Sequence, residues 1–213
     1  MRRRAQCIAF KTRAPRGGSG KSRLQQGPTE LNRMDNNAEF ASQTSYVNEY
    51  LHFISVESSL GFVLTAITPR GLRAVFLGDT REELEQDLRR EFPWSKPEYN
   101  HYGLEGIGAQ IVKCVETPRL DFSLPFDIIG TSFQLEVWRT LRSIRAGKTA
   151  TYSEIAERIG APGQELSVAQ ACLTNRLAVA IPCHRAVGDD GDIGVYRWGL
   201  ERKKALLQAE ADV

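Results

Sequence analysis

The chain has 213 residues, 41% of them hydrophobic and 25% charged, and a formal net charge of +2. This composition is ordinary for a globular protein and leaves room for one large domain or two small ones. No run approaches the roughly 18 apolar residues of a membrane-spanning helix, and the arginine-rich start lacks the apolar stretch of a secretory signal. We therefore expect an intracellular protein with no membrane partner.

Charge is distributed unevenly along the chain. Residues 1–33 contain nine Lys or Arg and one acidic residue, residues 34–129 contain eight basic and fifteen acidic residues, and residues 130–213 contain eleven basic and ten acidic residues. An acidic middle repels phosphate groups. Any contact with nucleic acid is therefore expected from the last third of the chain or from its start.

The first 45 residues are rich in Arg, Gly, Ser, Asn and Gln and show no sustained periodicity, so 1–45 is predicted to be a disordered basic tail. Within it, 17–22 (GGSGKS) is similar to the end of a phosphate-binding loop. Pro15 stands where that loop needs its first glycine and no apolar strand precedes it, so we assign no nucleotide site. A targeting peptide and a chain start at Met34 are both compatible with this composition.

Three short β-rich runs follow, separated by turn residues, and they predict an antiparallel meander over 51–57, 61–67 and 72–77. Asp79 or Thr80 is a candidate N-cap for a helix over 81–91, and a second helix is predicted over about 106–116. The proline-bounded run 118–125 is predicted to be a linker.

The last third has the apolar spacing of helices, predicted over 132–143, 153–159, 164–173 and 202–210. Thr131 or Ser132 is the candidate cap of the first. A glycine-containing turn joins the second and third, which is the layout of a helix-turn-helix. Periodicity alone does not distinguish a DNA-reading pair from two packed helices, and both interpretations stay open at this point.

The cysteines are Cys7, Cys114, Cys172 and Cys183, and none of them forms a CxxC pair. This spacing predicts neither a disulfide framework nor a metal site, and reduced thiols are the default inside a cell.

The segment 182–185 (PCHR) carries the clearest chemistry and follows the apolar run 177–181. A thiol is a poor nucleophile at neutral pH until a base takes its proton, and an imidazole such as that of His184 does so directly or through one water. The alternative is that Cys183 is a small buried apolar residue.

Four segments resemble the O6-alkylguanine-DNA alkyltransferase family, and in particular the C-terminal domain of bacterial Ada-type proteins. They are 182–185 (PCHR), 196–199 (YRWG), 130–138 (GTSFQLEVW) and 151–156 (TYSEIA). The resemblance implies an α/β (α+β) fold. It places a small ribonuclease-H-like N-terminal domain at 46–126 and a mostly helical, winged helix-turn-helix domain at 127–213.

The same resemblance assigns four catalytic or positioning residues. It makes Cys183 the alkyl acceptor, His184 the base that draws its proton through a water, and Glu210 the carboxylate that orients the imidazole. Asn175 pins the helix pair to the segment that carries the cysteine. Taken alone, Glu210 has the pattern of a solvated helix charge and Asn175 that of a helix C-cap.

The resemblance also assigns residues to DNA and to the substrate base. The DNA-binding candidates are Tyr152, Ser153, Leu166, Ala169 and Arg185, with Tyr152 helping to rotate the nucleotide out of the duplex. The substrate-binding candidates, which include the loop expected to close over the base, are Ala186, Gly194, Val195, Tyr196 and Trp198.

The sequence departs from the family pattern in three places. Leu166 stands where the family has the arginine that fills the gap left by the rotated base, and an apolar wedge could fill that gap without its charge. Gly194 and Val195 replace a Ser-Gly pair in the pocket wall, and Asp189 with Asp190 adds negative charge near the expected DNA path.

The function that follows from the resemblance is irreversible, single-turnover transfer of the alkyl group from O6-alkylguanine in double-stranded DNA to Cys183. O4-alkylthymine is a second candidate substrate. We expect no cofactor and no metal, a monomer, and a cytoplasmic, nucleoid-associated location. The rival interpretations are an alkyltransferase-like protein that binds alkylated guanine without efficient transfer, a DNA-binding regulator and a cysteine hydrolase.

Overall fold

The structure is a computed structural model that describes residues 50–117 and 124–211. The predicted tail and most of the predicted linker lie outside these ranges. In chain order the elements are β1 (Tyr50–Ser58), β2 (Gly61–Thr68), β3 (Gly71–Gly78), α1 (Arg81–Glu91), β4 (Lys96–Tyr99), α2 (His101–Glu116), α3 (Ser132–Ser143), β5 (Ala150–Thr151), α4 (Tyr152–Arg158), α5 (Glu165–Leu173), a 3-10 turn (Cys183–Arg185), β6 (Ala186–Val187) and α6 (Leu200–Ala211).

The predicted meander is confirmed, and it forms most of a four-stranded sheet in the order β3-β2-β1-β4. β1 and β3 each pair antiparallel with β2, while β4 pairs parallel with β1. β4 was not predicted from the sequence because its four residues (KPEY) are mostly exposed and include Pro97. A proline is tolerated in a strand at a sheet edge, where its lost donor faces away from the neighbour.

Local capping explains where the helices of the first half begin. Thr80 caps α1, with its hydroxyl accepting from the Glu83 amide at 3.2 Å, which decides between the two predicted caps. α2 begins at His101, more than a turn before its predicted start, because the Asn100 side chain accepts from the Gly103 amide at 2.9 Å. Asparagine at this position satisfies an amide that the helix itself leaves unpaired.

The helices of the second half lie close to their predicted positions. Thr131 and Thr151 each form a reciprocal capping box, at the starts of α3 and α4 respectively. α4 ends with the Ala161 amide bonded to the Ala156 carbonyl at 2.9 Å, and Gly160 has the positive φ of 72° that this type of helix end requires. α6 begins at Leu200, slightly before its prediction, and extends to Ala211.

The segment before Cys183 is fixed against the outer edge of β3. The Val75 amide donates to the Arg176 carbonyl at 2.8 Å, and the Ala178 amide donates to the Val75 carbonyl at 3.0 Å. The apolar run 177–181 is therefore a turn with one bridge to the sheet and no strand of its own. Pairing along this edge satisfies backbone groups of β3 that would otherwise be open.

The sheet and the helices share one hydrophobic core. Buried side chains of the two halves, among them Phe53, Phe76, Trp138, Ile155 and Leu206, belong to a single cluster. The described residues lie in one compact unit, and the predicted boundary between 126 and 127 stays a prediction. Within the described residues, no helix is both long and apolar enough to span a membrane.

Candidate active site around Cys183

Cys183 opens the 3-10 turn after Pro182, and its side chain is almost fully enclosed, with 1% exposure. Burial raises the pKa of the Cys183 thiol to about 11, although a hydrogen bond from Asn175 acts in the opposite direction. With that pKa, only about one thiol in 10,000 is ionised at pH 7. The sulfur needs a proton acceptor if it is to act as a nucleophile.

Asn175 ties the approach to Cys183 together. Its side-chain oxygen accepts from the Leu177 amide at 2.8 Å, and its Nδ2 lies 3.0 Å from the Ile181 carbonyl and 3.2 Å from Cys183 Sγ. Asn175 is fully buried, and these bonds use both ends of its amide. These bonds connect the residue that follows α5 to the turn that leads into Cys183, and the pinning role itself stays a prediction.

The turn that Asn175 encloses is strained at one residue. Val179 has a φ of 55°, a conformation that β-branched residues rarely adopt, and the Ala180 amide folds back onto the Ala178 carbonyl. Such a residue costs about 1–3 kcal/mol and persists only where the surroundings impose it. The hydrogen bonds of Asn175 supply that constraint.

His184 and Glu210 form a buried pair directly beside the cysteine. His184 Nε2 lies 2.9 Å from Glu210 Oε1, while His184 Nδ1 is buried and makes no hydrogen bond within the described protein. Burial lowers the pKa of His184, against the pull of Glu210, so the imidazole is neutral at pH 7. A neutral imidazole with one nitrogen held by a carboxylate and the other unpaired is ready to accept a proton.

Arg185 braces this carboxylate. Its Nε lies 3.0 Å and its Nη2 lies 2.7 Å from Glu210 Oε1, and the Gly147 amide donates to Glu210 Oε2 at 3.0 Å. Burial alone would raise the pKa of Glu210, but the hydrogen bonds from His184 and Arg185 outweigh it and lower the pKa to about 2. The sequence assigned Arg185 to DNA binding; its guanidinium is instead buried against Glu210 and does not face outward.

Lys203 is a site residue that the sequence analysis missed. This lysine is fully buried, and its Nζ donates to the carbonyls of Ala186 and Val195, the latter at 3.1 Å. The bonds join the strand after Cys183 to the predicted substrate loop, and one acceptor site on the Ala186 carbonyl is thereby used. Lys203 lies seven positions before Glu210, on the same face of α6, so helical periodicity from Glu210 could have found it.

Aromatic rings enclose the histidine. The Tyr196 ring meets the His184 ring edge-on, with centroids 6.3 Å apart, and Trp198 meets Tyr196 in the same way at 5.2 Å. The Tyr196 hydroxyl is buried and makes no hydrogen bond within the described residues. Tyr196 and Trp198, whose rings are both predicted to line the substrate pocket, therefore form one aromatic group beside His184.

Tyr152 fastens the substrate loop to α4. Its hydroxyl accepts from the Val195 amide at 2.9 Å, and burial raises the pKa of Tyr152 to about 12. Gly194 has a φ of 74°, and a Cβ there would lie 2.3 Å from the Tyr152 hydroxyl oxygen. Only glycine fits this position, which gives a physical reason for the Gly194-Val195 order.

The remaining DNA-binding candidates lie on the helix pair formed by α4 and α5. Ser153 and Ala169 are half-buried, whereas Leu166, in the first turn of α5, is 87% exposed. A leucine this exposed contributes little to the core. The structure thus separates a buried chemical centre from an outward-facing helix pair.

Negative charge lies beside that helix pair. Hydrogen bonds from Thr151 and Ser153 lower the pKa of the exposed Asp189 carboxyl, which is therefore ionised at neutral pH at the start of α4. Among the described residues, no group of three or more His, Cys, Asp or Glu side chains is placed to hold a metal ion.

The arrangement resembles known proteins at the level of sequence and fold. The family model for the DNA-binding domain of 6-O-methylguanine DNA methyltransferase matches residues 132–212. The inducible methylated-DNA–protein-cysteine methyltransferase of Bacillus subtilis is 37% identical over 148 residues, which is 68% of this chain and 82% of that protein. The chain belongs to the methylated-DNA–protein-cysteine methyltransferase family.

Two further relatives show the breadth of the methyltransferase likeness. The bifunctional transcriptional activator and DNA repair enzyme Ada of Escherichia coli is 36% identical over 165 residues, which is 78% of this chain and 47% of Ada, so the chain spans about half of that relative. A crystal structure of Mycobacterium tuberculosis OGT in complex with DNA superposes with a TM-score of 0.60 at 28% identity, covering 76% of this chain and 92% of that one.

Proposed function

We propose that this member of the methyltransferase family repairs DNA by direct reversal, moving the alkyl group of O6-alkylguanine irreversibly onto Cys183. The observation that carries the proposal is the state of His184. Its Nε2 is held by the Glu210 carboxylate, its Nδ1 is buried and unpaired within the described protein, and the thiol belongs to the preceding residue. A buried thiol with a pKa of about 11 needs such a base.

The proposed step conserves atoms and charge. His184 takes the Cys183 proton by way of one water, and the imidazolium is stabilised by the ionised Glu210. The thiolate attacks the alkyl carbon, so that an S–C bond forms as the C–O6 bond breaks and its electron pair passes to O6. The restored guanine, which stays in the DNA, is protonated at N1, and the imidazolium gives up the proton that it took from Cys183, so that both groups end neutral. The thioether does not revert, and each chain therefore acts once.

The DNA side of the proposal rests on the helix pair. We propose that α4 and α5, with the small β5–β6 pair, act as a winged helix-turn-helix that binds the duplex while the target base is rotated toward Cys183. Removing a base from the stack costs a few kcal/mol, which contacts with DNA must supply. Tyr152, the first residue of α4, and the exposed Leu166 on α5 are the proposed contributors.

The finer organisation is also proposed. The sheet half, 46–126, corresponds to a ribonuclease-H-like domain and 127–213 to the alkyltransferase domain. The protein acts as a monomer associated with the nucleoid, and O4-alkylthymine is a second substrate. What supports these statements is the likeness to family members over most of the described chain.

The decisive experiment uses a duplex oligonucleotide carrying tritiated O6-methylguanine. We expect one labelled methyl group per chain, detected on the protein, and no transfer by Cys183→Ala. Cys114→Ala is the matched control because Cys114 is also a buried free cysteine but lies on α2, away from His184. Label that stays on DNA bound to the wild-type protein would contradict transfer and favour a protein that only recognises the lesion.

A further inference from the structure

Glu91, the last residue of α1, binds two arginines from separate segments of the second half. Its Oε1 accepts from Arg176 Nε at 2.6 Å, and its Oε2 accepts from Arg197 Nη2 at 2.6 Å. Each carboxylate oxygen therefore has its own charge-assisted bond, which is the stronger kind of hydrogen bond. We call Glu91, Arg176 and Arg197 the Glu91 clamp.

In the sequence, Arg176 precedes Cys183 and His184, and Arg197 follows them. Arg176 directly follows Asn175, whose Nδ2 lies 3.2 Å from Cys183 Sγ. Arg197 lies between Tyr196, which packs edge-on against the imidazole, and Trp198. One carboxylate from the first half thus holds both the segment that reaches the thiol and the loop that encloses the histidine.

Packing gives the clamp a defined geometry. The Arg176 guanidinium lies over the Phe92 ring at 5.3 Å, and that of Arg197 lies over the Phe76 ring at 5.3 Å. All three clamp side chains are mostly enclosed, at 23–29% exposure. Contacts with aromatic rings and charge-assisted hydrogen bonds together restrict an arginine far more than an exposed surface pair would.

The charges explain why a carboxylate is needed. Two guanidinium groups brought to the same place repel each other, and the effect grows as water is excluded. Burial by itself would raise the pKa of Glu91, but the hydrogen bonds from Arg197 and Arg176 outweigh it and lower the pKa. Glu91 is therefore ionised at neutral pH, and without its charge the two loops would be pushed apart.

We propose that Glu91 is a positioning residue for the alkyl transfer, an inference that rests on the proposed function. It touches neither the thiol nor the base. Its role is to set the separation between the Asn175 segment and the 196–198 loop, so that Cys183 and His184 are held in the arrangement the reaction needs. Within the described residues, no hydrogen bond or ion pair joins Glu91 to α4 or α5, the helix pair proposed to bind DNA.

The test is a single-turnover assay with excess protein over duplex O6-methylguanine oligonucleotide, which separates the limiting rate from the half-saturating protein concentration. Glu91→Gln keeps the shape but removes the charge. We expect its limiting rate to fall at least fivefold while the half-saturating concentration changes less than twofold. A role in folding alone would lower the urea midpoint and leave the limiting rate of the folded protein intact.

Asp87→Asn is the matched control, because it removes an exposed ion pair with Arg90 on the same helix without touching the clamp. Its limiting rate should stay within twofold of wild type. Arg197→Gln provides a second route if Glu91→Gln folds poorly. It should lower the limiting rate similarly, and combining the two changes should cost no more than the larger single effect.

The possible results distinguish the positioning role of Glu91 from the alternatives. An unchanged limiting rate in Glu91→Gln and Arg197→Gln, or an effect confined to half-saturation, overturns the positioning role. Fully additive losses in the double variant also overturn it, since the two residues would then act separately. If wild type and Asp87→Asn both fail to transfer the label, the proposed function is wrong, and the positioning role that rests on it is overturned with it.

Discussion

Two regions of this protein are specified in different ways. The thiol centre is buried and consists of Asn175, Cys183, His184, Arg185 and Glu210. Its hydrogen bonds join the turn at Cys183–Arg185 to the segment before it and to α6. The helix pair of α4 and α5 packs one face against the core, whereas its outer face is exposed and carries Leu166 at 87% exposure. The first region tolerates few changes, whereas the second can vary while the fold stays intact.

This contrast explains why the chain can depart from its family pattern at Leu166. Replacing any member of the thiol centre leaves a buried partner unsatisfied, which costs free energy of folding. Replacing an exposed arginine by Leu166 removes nothing from the core. We therefore expect alkyl transfer to Cys183 to persist even though the proposed DNA-binding face differs from the family pattern. Three substitutions test this expectation.

The largest effect is expected from Glu210→Gln. A neutral amide no longer stabilises the imidazolium and removes the carboxylate partner of the buried Arg185, so the transfer rate should fall by about 100-fold and stability by about 3 kcal/mol. Label transfer and urea unfolding measure the two effects. Glu201→Gln, an exposed position on the same helix paired with Lys204, should change neither.

The pH dependence sharpens the same substitution. Because the folded pKa of Glu210 is lowered to about 2 from 4.5, its contribution to stability is present above pH 4.5 and is lost as the pH falls toward 2. The stability gap between wild type and Glu210→Gln should therefore close over that range. The lowered pKa of His184 means that its contribution to the stability of the wild type is present above pH 6.5 and is lost as the pH falls below that value. A stability gap that stayed constant between pH 4.5 and pH 2 would contradict the assignment of Glu210.

An intermediate effect is expected from Asn175→Asp. The change removes the Nδ2 donor near Cys183 Sγ and puts a negative charge beside a group that must become negative, so transfer should slow about tenfold at pH 7.5. Asn100→Asp is the matched control, because aspartate is an equally good cap for α2. Equal rates for Asn175→Asp and wild type would mean that this amide does not influence the thiol.

The smallest effect belongs to the open helix pair. Leu166→Arg should speed repair of duplex substrate about threefold, since the new side chain can fill the stack and contact phosphate, and should not alter reaction with the free alkylated base. Stability should change by less than about 0.5 kcal/mol at so exposed a position. Leu200→Arg adds the same charge at an exposed leucine on α6 and should leave both reactions unchanged. Equal acceleration of both substrates would assign another role to position 166.

Much of the fold could be predicted because the signals are local. The alternating runs of β1 to β3 and the threonine caps of α1, α3 and α4 depend on neighbours within a few residues. β4 could not be found this way, since its residues become a strand only through pairing with β1. The early start of α2 was missed because an asparagine cap was not recognised.

The candidate site likewise has residues that a local segment predicts and partners that only the folded chain reveals. The PCHR segment, together with its resemblance, assigned the proposed nucleophile, base, carboxylate and asparagine by residue number, and the structure places these four residues close together. The partners that complete the site come from distant parts of the chain: Gly147 on Glu210, Lys203 on two loop carbonyls, and Glu91 on Arg176 and Arg197. Helical spacing from Glu210 could have indicated Lys203, but no spacing pattern connects Gly147 to Glu210, or Glu91 to the two arginines, because these residues are far apart in sequence.

Sequence by itself determined which chemical groups are available and which short stretches become helix or strand, because capping, alternation and residue chemistry are properties of neighbouring residues. Tertiary structure alone decided the state of each group. It turned Arg185 from an expected DNA contact into a brace for Glu210, and it buried the thiol so that its pKa rises. The physical reason is that desolvation and charge pairing depend on what surrounds an atom in space, and only the folded chain brings those surroundings together.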